Sequence, residues 1–146
     1  EDEAMIRLSR VGYDGSIGYL EGGFDAWKKA GKEVDTVKRI TAEQFATIHE
    51  NEKPLTIDIR KKSEFQSQHI TDAVNIPLNE INNHLAEFPK DKPFILHCAG
   101  GYRSMIAASM LKQRGWDNFS DVIGGFTEIA KTNVPKSEYI CPSTML

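Results

Sequence analysis

Residues that commit a chain to a particular chemistry are scarce in this sequence. Its two cysteines, Cys98 and Cys141, are too few for a disulfide framework, so a reducing cytoplasm is the expected setting. The four histidines, His49, His69, His84 and His97, are scattered, with no metal-ligand spacing among themselves or with the cysteines, which argues against a structural zinc site. No apolar run approaches the roughly 18 residues of a membrane span. The first residues, EDEAMIRLSR, lack the basic start and apolar core of a signal peptide. Net charge is -3 with no long run of one sign, so neither nucleic acid nor a membrane surface is expected as a partner. The remaining 40% hydrophobic and 27% charged composition is that of a globular chain. Its 146 residues leave room for one ordinary domain and a remainder.

From Ile40 onward, strand and helix signals alternate. Thr41 to Gln44 reads as a T-x-x-Q capping box opening a helix with Ala42, Phe45, Ala46 and Ile48 on its apolar side. PLTIDIR (54–60) predicts a strand, a short helix follows near Ser63 to Gln68, and DAVNIPL (72–78) predicts a second strand stopped by Pro77. NEINNHLAEFP (79–89) suits a helix with Ile81, Leu85 and Phe88 at helical spacing. PFILHC (93–98) is an unbroken apolar strand, and SMIAASMLKQRG (104–115) a helix with Gly115 as its stop. SDVIGGF (120–126) predicts a last strand before a Gly-Gly turn and a short helix. This alternation predicts an α/β fold with a central, mainly parallel sheet flanked by helices.

The chain also repeats itself. RLSRVGYDGSIGYLEGGFDAWKKAG (7–31) and MLKQRGWDNFSDVIGGFTEIAKTN (110–133) each run from helix end through Gly-aromatic-Asp to Gly-Gly-Phe. Gly12-Tyr13-Asp14 matches Gly115-Trp116-Asp117, and Gly22-Gly23-Phe24 matches Gly124-Gly125-Phe126. Such repeats point to duplicated units. Residues 1–35 are then expected to be the C-terminal remnant of a first module, 36–39 a linker, 40–135 a complete domain and 136–146 a tail.

Chemistry concentrates in HCAGGYRS (97–104), at the carboxyl end of the strongest strand, where open α/β sheets bind ligands. Cysteine attacks as the thiolate, a form that helix N-termini and nearby cations favour. The helix beginning near Ser104 turns its N–H groups toward the loop, and Arg103 adds a permanent cation. Gly100 and Gly101 let the backbone approach a ligand. Cys98 is therefore the candidate nucleophile, and Ala99, Gly100, Gly101, Tyr102, Arg103 and Ser104 its candidate cradle for a sulfur atom or oxyanion. Ser104 is expected to cap the helix rather than attack. Arg103 is expected to face an anion or fix the loop.

C-A-G-G-Y-R-S resembles the active loop of rhodanese-domain sulfurtransferases, and separated motifs agree. Asp58-Ile59-Arg60 is similar to that family's D-V-R strand end, and Glu64-Phe65 with His69-Ile70 to its E-F…G-H-I, with Gln68 standing where glycine is usual. Ala73-Val74-Asn75-Ile76-Pro77 resembles A-x-N-I-P, and Gly124-Gly125-Phe126 the closing G-G-[FWY]. The resemblance spans 40–135 and implies a rhodanese-like fold. It implies transfer of a sulfane sulfur from thiosulfate or a low-molecular-weight persulfide, through a Cys98 persulfide, to cyanide, sulfite or a thiol. No metal or organic cofactor is implied. Residues 1–35 resemble the end of a partial second rhodanese-like module preceding the first complete one. The tandem wording resembles fusions with an N-terminal metal-dependent domain of the metallo-β-lactamase fold, of persulfide-dioxygenase kind.

Arg60 stays open between pocket lining and loop brace, while Asp58 is expected to be structural. Glu64, His69 and Asp72 are expected to fix turns and helix ends. Strand alternation points His97 away from the Cys98 side. Cys141, in the tail, is expected to be incidental. A cysteine phosphatase or arsenate reductase is the rival enzyme class, but its loop is C-x5-R, one residue longer than Cys98 to Arg103. A non-catalytic regulatory or sulfur-relay module of the same fold is the other alternative.

Overall fold

The computed structural model describes residues 2–9, 15 and 17–141. The chain divides into two units, residues 1–36 and 37–146. The first holds helices α1 (Asp2–Ser9) and α2 (Gly23–Lys29). Within it, the Trp27 indole donates to the Glu33 carbonyl at 2.7 Å, and no residue of α2 is buried. Gly12-Tyr13-Asp14, half of the repeat, lies outside the described residues. The other half has a local counterpart: Gly22 and Gly23 have φ of 75° and 58°, Gly124 and Gly125 have 75° and 55°, and each pair opens a short helix.

The second unit is the α/β domain the alternating pattern predicts. Its order is β1 (Arg39–Ile40), α3 (Ala42–Glu52), β2 (Leu55–Asp58), α4 (Lys62–Ser67), β3 (Val74–Asn75), β4 (Phe94–His97), α5 (Tyr102–Gln113), β5 (Phe119–Val122) and α6 (Gly125–Ile129). The five strands form one sheet in the order β1-β5-β4-β2-β3, every pairing parallel. One apolar layer joins Ile57, Leu96 and Cys98 to Ala107, Ala108 and Leu111 of α5. The other joins Ile95 and Val122 to Phe45 of α3 and Ile129 of α6. Burying each large apolar side chain in these layers contributes about 1.5–3 kcal/mol. The central strand β4, buried along its whole length, carries its carboxyl end directly into the Cys98 loop.

Local signals explain the ends of several elements. The Thr41–Gln44 capping box forms reciprocally, with bonds of 3.2 and 2.9 Å. Gly115 takes φ 85° after α5, and the N–H of Trp116 returns to the Leu111 carbonyl. The expected helix over 79–89 is instead two 3-10 turns, Leu78–Asn83 and Leu85–Glu87. The apolar pairs Leu78/Ile81 and Leu85/Phe88 repeat every three residues, the spacing a 3-10 turn eclipses. Asn82 and Asn83 between them disfavour a continuous α-helix. The strand expected over 72–78 shortens to Val74–Asn75, although Ile76 and Leu78 still donate to Asp58 and Ile59.

Two domain boundaries move. Arg39, assigned to the linker, pairs in β1 with Asp121 of β5. The segment assigned to the tail packs back as far as Ile140: Lys136 bridges to Ile70, Ser137 bonds His69, and Ile140 exchanges bonds with Ser67. A chain whose backbone groups are paired in this way belongs to the domain. Gln68, in the usual glycine position, has φ -166°. That is extended backbone open to any residue, so glycine is not required there. Among the described residues, no helix is long and apolar enough to cross a membrane.

Candidate active site

β4 delivers Cys98 to the foot of α5, on the same sheet face as Leu96 and the α5 core residues. Cys98 is 1% exposed, and its Sγ accepts the Gly101 N–H at 3.1 Å. Gly101 is the N-cap of α5 with φ 101°, a conformation that L side chains disfavour. Gly100 is different: it is exposed, its φ is not positive, and an added Cβ would meet open space. Only one of the two loop glycines is thus required by conformation.

The loop is closed from the opposite side by the turn between β5 and α6. Phe126 N–H donates to the Cys98 carbonyl at 2.7 Å and Thr127 N–H to Ala99 at 3.0 Å, with the Thr127 hydroxyl adding a bond to Ala99. Gly125 makes this approach possible. A Cβ there would stand 2.3 Å from the Cys98 oxygen and 2.8 Å from that of Ala99. The Gly-Gly-Phe motif is therefore part of the cysteine loop's support.

Ser104 does not cap α5. It lies inside the helix, fully buried, and its hydroxyl donates back to the Gly101 carbonyl at 3.2 Å. Gly101 takes the cap position because the loop needs its positive φ there. Tyr102 is 81% exposed, on the outer side of the loop. Arg103 reaches across to α4. Its two terminal nitrogens donate to the Glu64 carboxylate at 2.6 and 2.9 Å. This fork pulls Glu64 below the ordinary carboxylate range and raises Arg103 further, hydrogen bonding being the largest cause for both. Glu64 also accepts the Lys61 N–H at 3.2 Å, so it ties the start of α4 to the cysteine loop.

Arg60, left open between pocket and brace, is placed as a brace. It is 4% exposed, bonds both Asp58 oxygens, donates to the Gln68 carbonyl at 2.8 Å and lies 4.0 Å over the Phe126 ring. Nε and Nη2 tie Asp58 to the Gln68 carbonyl, and the guanidinium face lies against the loop-closing Phe126. Asn75 supports the same turn through the Asp58 and Arg60 carbonyls. His97 is fully buried, with Nδ1 3.3 Å from the Cys98 carbonyl and Nε2 3.8 Å from Asp58. Burial pushes its pKa below the ordinary histidine value, with Asp58 opposing. A neutral imidazole stacked near Phe126 holds the end of β4 in place.

Sequence reasoning missed Arg39 and Asp121. They stand opposite one another on β1 and β5, and Arg39 Nε donates to Asp121 Oδ2 at 3.1 Å. Asp121 is fully buried and pushed up by that burial, an effect that nearby Ser104 and Arg39 offset in part. Ser104 lies close to this carboxylate, yet Oδ1 closes no hydrogen bond of good geometry. No local pattern announces a contact between residues 82 positions apart; only the strand order brings them together. Cys141 is exposed and follows Ile140, which bonds Ser67 at the end of α4. Among the described residues, no group of three or more His, Cys, Asp and Glu side chains could hold a metal ion.

The profile of the rhodanese-like domain matches residues 41–132. The chain is 34% identical over 99 residues to the thiosulfate sulfurtransferase GlpE of Pseudomonas syringae pv. syringae, a match covering 68% of this chain and 92% of that protein. It is 30% identical over 100 residues to a sulfurtransferase of Allochromatium vinosum, covering 68% of this chain and 94% of the relative. Among solved structures, a rhodanese-related protein from Thermoplasma volcanium superposes with a TM-score of 0.61 at 30% identity, covering 68% of this chain and 97% of that one. The family match over residues 41–132, and relatives covered over more than nine-tenths of their length, show that the chain belongs to the rhodanese-like domain family.

Proposed function

We propose that the protein is a sulfurtransferase that carries a sulfane sulfur on Cys98. The observation that supports this most is the Cys98 sulfur held by the Gly101 N–H at the head of α5. An N–H donor and the positive end of a twelve-residue helix both favour a negatively charged sulfur, whether thiolate or persulfide. In the first half-reaction the thiolate attacks the outer sulfur of thiosulfate. The S–S bond breaks, sulfite leaves with the bonding pair, and Cys98 becomes a persulfide. In the second, cyanide, sulfite or a thiolate attacks the terminal sulfur and returns the electron pair to Cys98. A low-molecular-weight persulfide serves as donor by the same displacement, with its thiolate leaving. Sulfur alone shuttles, so the scheme calls on no metal or organic cofactor.

Every stage presents an anion to the same small space, which is why the loop must stay fixed between Gly101 and Gly125 while its ligand changes. The short C-x4-R loop supports sulfur transfer over phosphate chemistry, as does the commitment of Arg103 to Glu64. On this reading residues 1–35 are the end of a preceding rhodanese-like module. The matching geometry of the two Gly-Gly-Phe turns supports that repeat. An N-terminal metal-dependent domain of the longer protein, and a cytoplasmic setting, belong to the same proposal.

The test is thiocyanate production from thiosulfate and cyanide. Cys98→Ser abolishes it, and Cys141→Ser leaves it within about twofold, the scale of a surface substitution. Equal loss in both variants overturns the assignment of Cys98 as sole carrier.

A further inference from the structure

In the chemistry proposed above, on which this inference rests, an anionic donor such as thiosulfate brings a charged non-reacting end that a cation can hold. The two arginines singled out by sequence are both engaged elsewhere. Arg103 spends its terminal nitrogens on Glu64, and Arg60 is buried against Asp58, the Gln68 carbonyl and Phe126. Arg39 differs from them. Its side chain is 41% exposed, and its single hydrogen bond runs from Nε to Asp121. Nη1 and Nη2 have no hydrogen-bond partner among the described residues. Nη2 also stands beside the loop: a Cβ built on Gly101 would lie 3.7 Å from it. Gly101 is the residue whose N–H holds the Cys98 sulfur, and its φ of 101° keeps a side chain from filling that space.

Asp121 sets the orientation. Fully buried in β5, it grips Nε and leaves Nη1 and Nη2 without a hydrogen-bond partner among the described residues. Two adjacent free N–H donors on a planar cation match the oxygens of a sulfonate or carboxylate. We propose that Arg39 binds the charged, non-reacting end of an anionic sulfur donor at the edge of the Cys98 loop, and so sets the preference for oxyanion-bearing donors.

The direct test is thiosulfate binding to Cys98→Ser protein by calorimetric titration, with and without Arg39→Met. Arg39→Met should weaken binding about tenfold, the scale of one charge-assisted hydrogen bond at a half-exposed site. Arg39→Lys should recover part of that loss. The Arg39→Met/Asp121→Asn pair should bind as weakly as Arg39→Met, since it removes the stranded buried carboxylate without restoring a cation. Unchanged binding in Arg39→Met, or recovery in the double variant, overturns the inference.

With Cys98 present, Arg39→Met should raise KM for thiosulfate and leave kcat unchanged. It should spare mercaptoethanol persulfide, whose non-reacting end is an uncharged hydroxyl. An equal rise for both donors also overturns the inference. If Cys98-intact protein takes sulfur from neither donor while thiosulfate binding still depends on Arg39, the transfer reading fails and the Arg39 site stands.

Discussion

Replacing Gly125 by alanine sets a Cβ 2.3 Å from the Cys98 carbonyl oxygen and 2.8 Å from that of Ala99. Both neighbours are backbone, and both belong to the loop that holds the sulfur. The left-handed conformation, φ 55°, costs an L residue about 1–2 kcal/mol. Relieving the clash separates α6 from the loop and gives up the Phe126–Cys98 and Thr127–Ala99 bonds of 2.7 and 3.0 Å. Each such bond contributes about 1 kcal/mol net, so the whole loss is about 3–4 kcal/mol, a large share of a domain's total. Gly124→Ala is the internal control. Its φ is also left-handed, at 75°, but its Cβ would meet Glu128 Cγ at 2.3 Å, the middle of an exposed side chain that can swing away. That variant should lose only the backbone share, about 1–2 kcal/mol. Urea denaturation measures both, and iodoacetamide alkylation of the native state reports whether Cys98 becomes accessible. Equal losses in the two variants, or a Gly125→Ala protein within about 1 kcal/mol of the parent, would refute the argument that this glycine exists for the loop.

Further predictions concern the charged and titrating supports. Glu64→Gln removes the carboxylate that grips Arg103; because both side chains are part-exposed, stability should fall by only about 1 kcal/mol or less, while sulfur loading slows as the loop loosens. Arg103 holds Glu64 below its ordinary value of 4.5, so this contribution is complete above that pH and is lost as pH falls through the lowered folded value. Glu64→Gln should lack that acid-side loss in pH-dependent urea melts, and an unchanged profile would contradict the clamp. Burial holds His97 below 6.5, so the unfolded chain binds the extra proton first. Stability should decline as pH falls below 6.5, by up to about 1.4 kcal/mol per pH unit, and His97→Gln should flatten that slope whatever its effect at pH 8.

The strand–helix alternation, the Cys98 loop and the C-terminal end of its helix are legible because each is written in neighbouring residues. Apolar runs mark β2 and β4, and Thr41 with Gln44 marks the start of α3. Other features depend on distant partners. Arg60 reads as pocket or brace until Phe126 is seen beneath its guanidinium. Arg103 reads as an anion contact or a loop fixer until α4 presents Glu64. Ser104 has the chemistry of a cap, but the backbone turns at Gly101 and draws Ser104 inside the helix. The pairing of Arg39 with Asp121 is set by β1 lying beside β5, a neighbour relation that no local pattern encodes. The return of residues 136–140 along α4 has the same origin, in backbone bonds rather than side-chain pattern.

Whether Cys98 carries sulfur is read from intact mass after brief treatment with thiosulfate. The parent protein should gain one sulfur atom, which cyanide or sulfite removes, and Cys98→Ser should gain none. A parent that gains no sulfur from thiosulfate or glutathione persulfide, or a Cys98→Ser protein that gains it equally, would rule out Cys98 as the sulfur carrier.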